Sequence, residues 1–136
     1  MTAPALYTQN DLVIPYAVGT AVTAGEAVVF TTATTIDDAG GATDLAIGTA
    51  LTTSAVPGTM VDVSMFGYAV RDVVVGTGGA TRGTKAVLVA DGFTDAAAHD
   101  SDGAVNASVY GIFIESGAAT DMVGLLKTGC DSRGTS

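Results

Sequence analysis

The 136-residue chain contains few side chains that could act in catalysis. Nucleophilic catalysis usually pairs a serine or cysteine with a histidine base. His99 is the only histidine and lies in the acidic segment AAAHDSDG, and Cys130, the only cysteine, lies in the polar segment GCDSRGTS. The G-x-S-x-G motif of serine hydrolases is absent. We therefore expect no catalytic nucleophile, and the lone cysteine excludes an internal disulfide and a multi-cysteine metal site.

Acidic residues occur in pairs that could serve as general acids or bases or could ligate a metal ion. Asp37 and Asp38 form one pair, and Asp100 and Asp102 form another, with Asn106 nearby. Oxygen ligands on a flexible loop suit Ca²⁺, but neither segment has the D-x-[DN]-x-[DN]-G pattern with its closing glutamate. Neither has aromatic neighbours that would raise a carboxyl pKa or bind a sugar. The prediction is solvated acids, with no metal, no cofactor and no catalytic residue.

A glycine-rich segment, GTGGATRGTK from Gly76 to Lys85, is superficially similar to phosphate-binding loops. Thr84 separates Gly83 from Lys85, so the P-loop motif is broken, and Thr81 stands where the dinucleotide motif needs glycine. No helix is predicted to follow, so no helix N-terminus could receive a phosphate. We interpret the segment as a hairpin connection whose two basic side chains are solvated or meet an acidic partner.

The elements that position these residues are predicted to be β-strands. Short runs rich in Val and Thr alternate with Gly, Asp and Ser clusters, which is typical of a sandwich or barrel. The predicted strands are Leu12–Val18, Ala27–Thr32, Leu45–Leu51, Met60–Met65, Ala69–Val75, Lys85–Val89, Val109–Glu115 and Met122–Lys127. The loop from Asp91 to Ser108 could hold one helical turn around Asp95–His99. The predicted fold is all-β: one small β-barrel or β-sandwich built of short antiparallel hairpins.

Three segments are similar to one another, namely GTAVTAGEAVVF from Gly19, GTALTTSAVPGTMVDVSM from Gly48 and GIFIESGAATDMVGLL from Gly111. The spacings are 29 and 63 residues, which excludes a solenoid of fixed period. We interpret each segment as a strand–turn–strand hairpin. Pro-Gly in SAVPGT favours a type II turn, and the glycines of VTAGEAV and ESGAATD suit turns that require positive φ.

The predicted domain spans residues 12–129, between an N-terminal arm of residues 1–11 and a polar C-terminal tail of residues 130–136. Apolar and stiffening residues in and after the arm are candidate partner contacts, because an extended segment can add to a neighbour's sheet. These candidates are Pro4, Leu6, Tyr7, Leu12, Ile14 and Tyr16. A frayed terminus leading into the first strand is the alternative for residues 2–10.

The net charge of −9 argues against nucleic-acid binding, because such a chain repels phosphate backbones. No apolar run is long enough to cross a membrane, and no secretion signal is apparent at the N-terminus. The expectation is a protein made in a cytoplasm, with no nucleic-acid or membrane partner.

The order AVTAGEAVVF, LAIGTALTTSAVPGTMVDVSMFGYAV and VYGIFIESGAATDMVGLLKTG resembles the small capsid cement, or decoration, proteins of tailed bacteriophages. In those chains a "v.aGd.v" turn precedes "iGva…a.aGe.v.v…G" and a closing "G.a.e.a..gd.v.vll". The resemblance runs from about Val18 to Gly129, and the segment ADGFTDAAAHDSDGAVNAS departs from the pattern.

The resemblance implies a structural virion protein, made in the host cytoplasm, that binds the outer surface of an assembled icosahedral head and carries no catalytic residues. It implies the major capsid protein as partner and a homotrimer on the capsid. Two alternatives stay open. One is another virion or surface β module from a tail, fibre base or adhesin, and the other is a small hydrolase or lyase that would need a strongly shifted pKa at Asp100 or Asp102.

Overall fold

The computed structural model describes residues 12–40, 45–67, 69–96 and 108–132, and in these ranges the regular elements are all strands. The all-β prediction is therefore confirmed. The strands are β1 Val13–Val18, β2 Ala27–Phe30, β3 Thr35–Asp38, β4 Gly48–Ala50, β5 Met60–Met65, β6 Ala69–Val74, β7 Lys85–Val89, β8 Gly92–Asp95, β9 Ser108–Phe113 and β10 Met122–Ser132.

The first five strands form a closed barrel in the order β1-β3-β2-β4-β5, which we call barrel 1. β1 lies parallel to β3 and antiparallel to β5, and these two pairings close the barrel. Closure removes the unpaired edges that an open sheet would expose. Because β1 and β2 are not paired, the segment Gly19–Phe30 is a crossing connection and a strand, and its interpretation as a hairpin is wrong.

The last five strands form a sheet in the order β6-β10-β9-β7-β8. A parallel bridge between Val75 and Phe93 joins its two edges, so this sheet also curls round, and we call it barrel 2. The bridge is extended by the hydrogen bond from the Gly76 N–H to the Phe93 carbonyl (2.8 Å). β6 pairs with β10 and does not pair with β7, so the glycine-rich segment Gly76–Lys85 is likewise a crossing connection and not a hairpin.

The two barrels have the same strand order and the same connections, so the chain is a tandem repeat of one five-stranded unit. The parallel pair Val18–Ile36 of barrel 1 corresponds to Val75–Phe93 of barrel 2. Loop hydrogen bonds repeat as well: Ser54 and Val22 exchange both backbone hydrogen bonds (2.8 and 3.0 Å), as do their counterparts in barrel 2 (2.9 and 3.0 Å). Equivalent residues lie 57 positions apart at Val18 and Val75 and 63 apart at Gly48 and Gly111, so the two units repeat without one fixed period.

The interiors of the two barrels also correspond position by position. Barrel 1 buries Val18, Val22, Val28, Ile36, Ala50, Val61 and Val63. The matching positions of barrel 2 are Val75, Ala80, Ala86, Phe93, Phe113, Val123 and Leu125. Barrel 2 gains phenylalanines where barrel 1 has Ile36 and Ala50, and it has alanines where barrel 1 has Val22 and Val28. These opposite changes in volume let one barrel geometry hold two different cores.

Barrel 1 packs against one end of barrel 2, at the end formed by Tyr110 and Lys127. The Tyr110 hydroxyl accepts a hydrogen bond from the Ala46 N–H (3.2 Å), and the Phe66 ring lies 4.7 Å from the Tyr110 ring. The Lys127 ammonium donates to the Ser64 hydroxyl and to the carbonyls of Ser64 (3.2 Å) and Met65 (3.3 Å). Ala27, Ala39 and Ala46 of barrel 1 belong to the same buried cluster as the barrel 2 core.

The sequence missed two strands, β3 and β8, which occupy equivalent places in the two barrels. β8 lies within the segment from Asp91 to Ser108 that was predicted to be a loop, and both strands end in acidic residues, which are depleted in strands. β8 contains Asp95, so the predicted helical turn does not begin there, and residues 97–99 lie outside the described residues. β10 extends to Ser132, so Cys130 lies in a strand rather than in a polar tail.

The turns before β5 and β10 have the same geometry with different residues. In the first, the Thr59 N–H donates to the Val56 carbonyl (3.2 Å) and Gly58 has φ +85°, which confirms the type II turn predicted from Pro-Gly. In the second, the residue with positive φ is Thr120 (φ 77°) and not Gly117, as the sequence had suggested. A threonine in this conformation is strained, because its Cβ approaches the backbone.

Candidate interaction surfaces

The paired carboxylates at the end of β3 hold the connection between β1 and β2 in place. Asp37 accepts hydrogen bonds from the N–H groups of Thr20 and Ala21 (2.8 Å) and from the Thr31 hydroxyl (2.8 Å). Asp38 accepts two from Thr23, one from its N–H and one from its hydroxyl (both 2.8 Å). These carboxylates are therefore structural acceptors for loop donors.

Barrel 2 repeats this arrangement. Asp95 accepts hydrogen bonds from the N–H (2.7 Å) and hydroxyl (2.6 Å) of Thr81, which corresponds to Thr23. Asp91 likewise accepts hydrogen bonds from the N–H (2.9 Å) and the hydroxyl (2.8 Å) of Thr77. The pair Asp37 and Asp38, which the sequence suggested as candidate site residues, and the acids Asp91 and Asp95, which it did not, thus have the same structural role.

The pKa values in this region follow from these contacts. Partial burial acts to raise the pKa of Asp37, but hydrogen bonds from Ala21, Thr20 and Thr31 outweigh it and lower the pKa below its ordinary value. The two hydrogen bonds from Thr77 likewise lower the pKa of Asp91. Burial, followed by repulsion from Asp38 and Asp91, raises the pKa of Glu26. Ionisation of Glu26 is therefore disfavoured in the folded state by its partial burial and by these two neighbouring carboxylates.

Four residues that were weighed for catalysis or metal binding and predicted to be solvated lie outside the described residues, namely His99, Asp100, Asp102 and Asn106. Within the part of the chain that the structure describes, no group of three or more His, Cys, Asp or Glu side chains is arranged to hold a metal ion. The same residues include no helix long and apolar enough to cross a membrane.

The predicted arm contacts divide into two sets. Pro4, Leu6 and Tyr7 lie outside the described residues. Leu12 is 64 % exposed just before β1, and its carbonyl accepts a hydrogen bond from the Met65 N–H (2.8 Å). Ile14 and Tyr16 belong to β1 itself and pair with β5, so they are part of barrel 1.

One end of barrel 1 presents apolar side chains to solvent, and we call it the barrel 1 end. The Phe30 ring is 47 % exposed and meets the Tyr16 ring edge to face, with centroids 5.1 Å apart. Ile47 and Met65 are only half-buried beside them. Sequence reasoning identified Tyr16 but missed the other three, because their exposure depends on which end of the barrel is covered.

A second apolar surface lies on the outside of barrel 2, and we call it the barrel 2 row. It follows the cross-strand pairs Lys85–Ile112, Ile112–Leu126 and Leu126–Val70. Ile112 is 38 % exposed, and the row borders an open groove of about 440 Å³ that Arg82 also lines. The two basic residues of the glycine-rich segment, Arg82 and Lys85, thus flank an apolar strip and not a phosphate site.

Comparison with protein-family models and with curated proteins gave no match for this chain.

Proposed function

We propose that this chain is a capsid decoration protein, which binds the outer surface of an assembled icosahedral phage head and stabilises it. Its partners in this role are the major capsid protein and further copies of itself, as a homotrimer on the shell. The alternative is another non-enzymatic virion or surface β module. The sequence resemblance from about Val18 to Gly129 supports the capsid assignment.

The observation that carries the proposal is that paired carboxylates accept hydrogen bonds within the chain, whereas large apolar side chains are exposed on its surface. The paired carboxylates of β3 and their counterparts in barrel 2 are engaged as acceptors for loop threonines. Apolar side chains such as Phe30 and Ile112 are instead presented on the surface. Surface apolar strips on a rigid scaffold are typical of proteins that act by binding other proteins.

Charge and multivalency fit the same role. A net charge of −9 keeps an external protein away from packaged DNA. Many copies bound to one shell need only a small interface each, because each additional contact between neighbours raises the avidity of the whole layer.

The test is co-sedimentation of the purified protein with undecorated heads of its parent virus, comparing unexpanded with expanded shells. We expect saturable binding to expanded shells, and weaker binding after deletion of residues 1–10 or in the double variant Leu6→Ala and Tyr7→Ala. The matched control is Thr8→Ala in the same arm. Failure to bind either shell would reject the capsid assignment and favour the surface-module alternative, which glycan and cell-surface binding assays would then address.

A further inference from the structure

The contact between the barrels buries one row of side chains on the outside of barrel 1. This row follows the cross-strand pairs Ala27–Thr49 and Thr49–Ser64. The three residues are 1 %, 1 % and 0 % exposed. Ala27 joins the barrel 2 core cluster, and Ser64 accepts hydrogen bonds from Lys127. The outer row of barrel 1 is therefore the surface on which the end of barrel 2 sits.

The tandem repeat places an equivalent row on barrel 2. The pairs Lys85–Ile112 and Ile112–Leu126 have the registers of Ala27–Thr49 and Thr49–Ser64. In barrel 1 this row is buried, whereas in barrel 2 Ile112 is 38 % exposed and the row borders an open groove. The row on barrel 2 is thus equivalent to the surface of barrel 1 that barrel 2 covers. None of the described residues covers the barrel 2 row in the same way.

The repeat also places an equivalent end on barrel 1. Barrel 2 presents Val73, Leu88, Tyr110 and Lys127 at its end, all at most 2 % exposed because barrel 1 covers them. The matching residues of barrel 1 are Tyr16, Phe30, Ile47 and Met65, of which Phe30 is 47 % exposed and the others half-buried. Among the described residues, the end of barrel 2 is therefore buried, whereas its counterpart on barrel 1 is partly exposed.

The contact inside the chain joins polar residues, whereas the equivalent residues at the two exposed surfaces are both apolar. Inside the chain, the end residue Lys127 meets the row residue Ser64 through polar contacts. At the free surfaces, the corresponding end residue is Met65 and the corresponding row residue is Leu126. A thioether on a leucine is a favourable apolar contact, whereas a mixed pair such as Lys127 on Leu126 would bury an ammonium against hydrocarbon.

We propose that a second copy of this chain occupies the free surfaces, with the barrel 1 end of one molecule seated on the barrel 2 row of the next. The contact is heterologous, since two different patches meet, so successive copies close into a ring or extend as a filament. This interface deepens the self-association in the proposed function and rests on that function only for its biological purpose.

The test measures self-association of the purified full-length chain by sedimentation velocity over a range of concentrations, without capsids. We expect oligomers for the wild type and for the control Val56→Asp, which changes a residue 64 % exposed in the turn before β5. Phe30→Asp on the end and Ile112→Asp on the row should each weaken association at least tenfold. Circular dichroism and thermal unfolding confirm folding, and Phe30→Ser and Ile112→Ser replace any aspartate variant that fails to fold.

Mixing the two variants gives the decisive result. Phe30→Asp retains an intact row and Ile112→Asp retains an intact end, so the mixture should form a one-to-one dimer that cannot extend. A monomeric wild type, association unaffected by either variant, or a mixture that stays monomeric would overturn the proposed interface. None of these results depends on head binding, so failure here and failure of the capsid assignment are separate outcomes.

Discussion

The buried ammonium of Lys127 should be a sensitive probe of the contact between the barrels. Its side chain is fully buried, its Nζ donates to Ser64 and Met65, and it lies 5.9 Å from the centroid of the Phe66 ring. Lys127→Ala removes a buried aliphatic stem, a truncation that costs about 2–5 kcal/mol for side chains of similar size. It also leaves the Ser64 acceptors without this donor, at about 1–3 kcal/mol. We expect a loss of roughly 4 kcal/mol in the free energy of unfolding, since partial relaxation reduces the sum.

Lys127→Met separates packing from hydrogen bonding. Methionine fills most of the same volume and is the residue that barrel 1 has at the equivalent position, Met65. The lost hydrogen bonds are offset in part because an ammonium no longer has to be desolvated. We therefore expect a loss of at most about 1–2 kcal/mol.

Urea unfolding followed by circular dichroism measures both variants, with Asp62→Ala as the control at an exposed strand residue outside both proposed surfaces. The control should lie within about 0.5 kcal/mol of wild type. A Lys127→Ala loss below about 1 kcal/mol would refute the burial of this side chain between the barrels, because truncating a buried side chain costs more than that. Equal losses for the alanine and methionine variants would show that hydrogen bonding dominates and that the packing argument is wrong.

Two further predictions concern the turns and the acids. Thr120→Gly should stabilise the protein by about 1 kcal/mol in urea unfolding, because it removes a threonine side chain from a residue at φ 77°. Gly58→Ala at the equivalent position should destabilise the protein by about the same amount. A change of the same sign in both variants would contradict the turn geometry. Glu26→Gln should raise the free energy of unfolding at pH 7. The folded state raises the pKa of Glu26, so ionisation of this carboxyl lowers stability as the pH rises from below the unfolded pKa through the folded pKa. The advantage of this variant should shrink as the pH falls toward 4.5 in a series of unfolding curves, and a pH-independent difference would show that Glu26 is not the titrating group.

Much of the fold is encoded in patterns that can be read locally. In MVDVSM, Val61 and Val63 face the interior and Asp62 faces solvent, as strict alternation predicts. The continuous run around Val28 and its counterpart around Val87 are covered on both faces, as such runs predict. Strands of this kind were identified because burial of one or both faces imposes the pattern.

Other features depend on contacts that no local pattern reveals. β3 and β8 contain acids because Asp38 and Asp95 bind loop threonines far away in sequence, and this requirement overrides strand propensity. Ser64 lies in the polar phase of its strand, on the outside of barrel 1, yet barrel 2 buries it completely. Lys127 lies on the same face of β10 as the buried Leu125, and its burial at the end of barrel 2 depends on the contact with barrel 1. The repeat was partly visible in the glycines, but the cores differ at positions such as Ala50 and Phe113, which hides the correspondence.

The distribution of polar and apolar contacts between the two kinds of interface has a physical reason if the proposed association is correct. β5 ends at Met65 and β6 begins at Ala69 in the same chain, so each barrel has a high effective concentration near the other and the internal contact needs little affinity. It does need a defined register, which the directional hydrogen bonds of Lys127 provide. Two separate chains have no connection, so their contact must gain affinity from apolar burial, as Met65 on Leu126 would supply. The polar pair of Lys127 and Ser64 within the chain and the apolar pair of Met65 and Leu126 between chains also disfavour a mispaired contact. The Lys127 end of barrel 2 would bury an ammonium on the apolar barrel 2 row of another molecule. A tandem repeat that diverged in this paired way can associate with further copies without disturbing the contact between its own barrels.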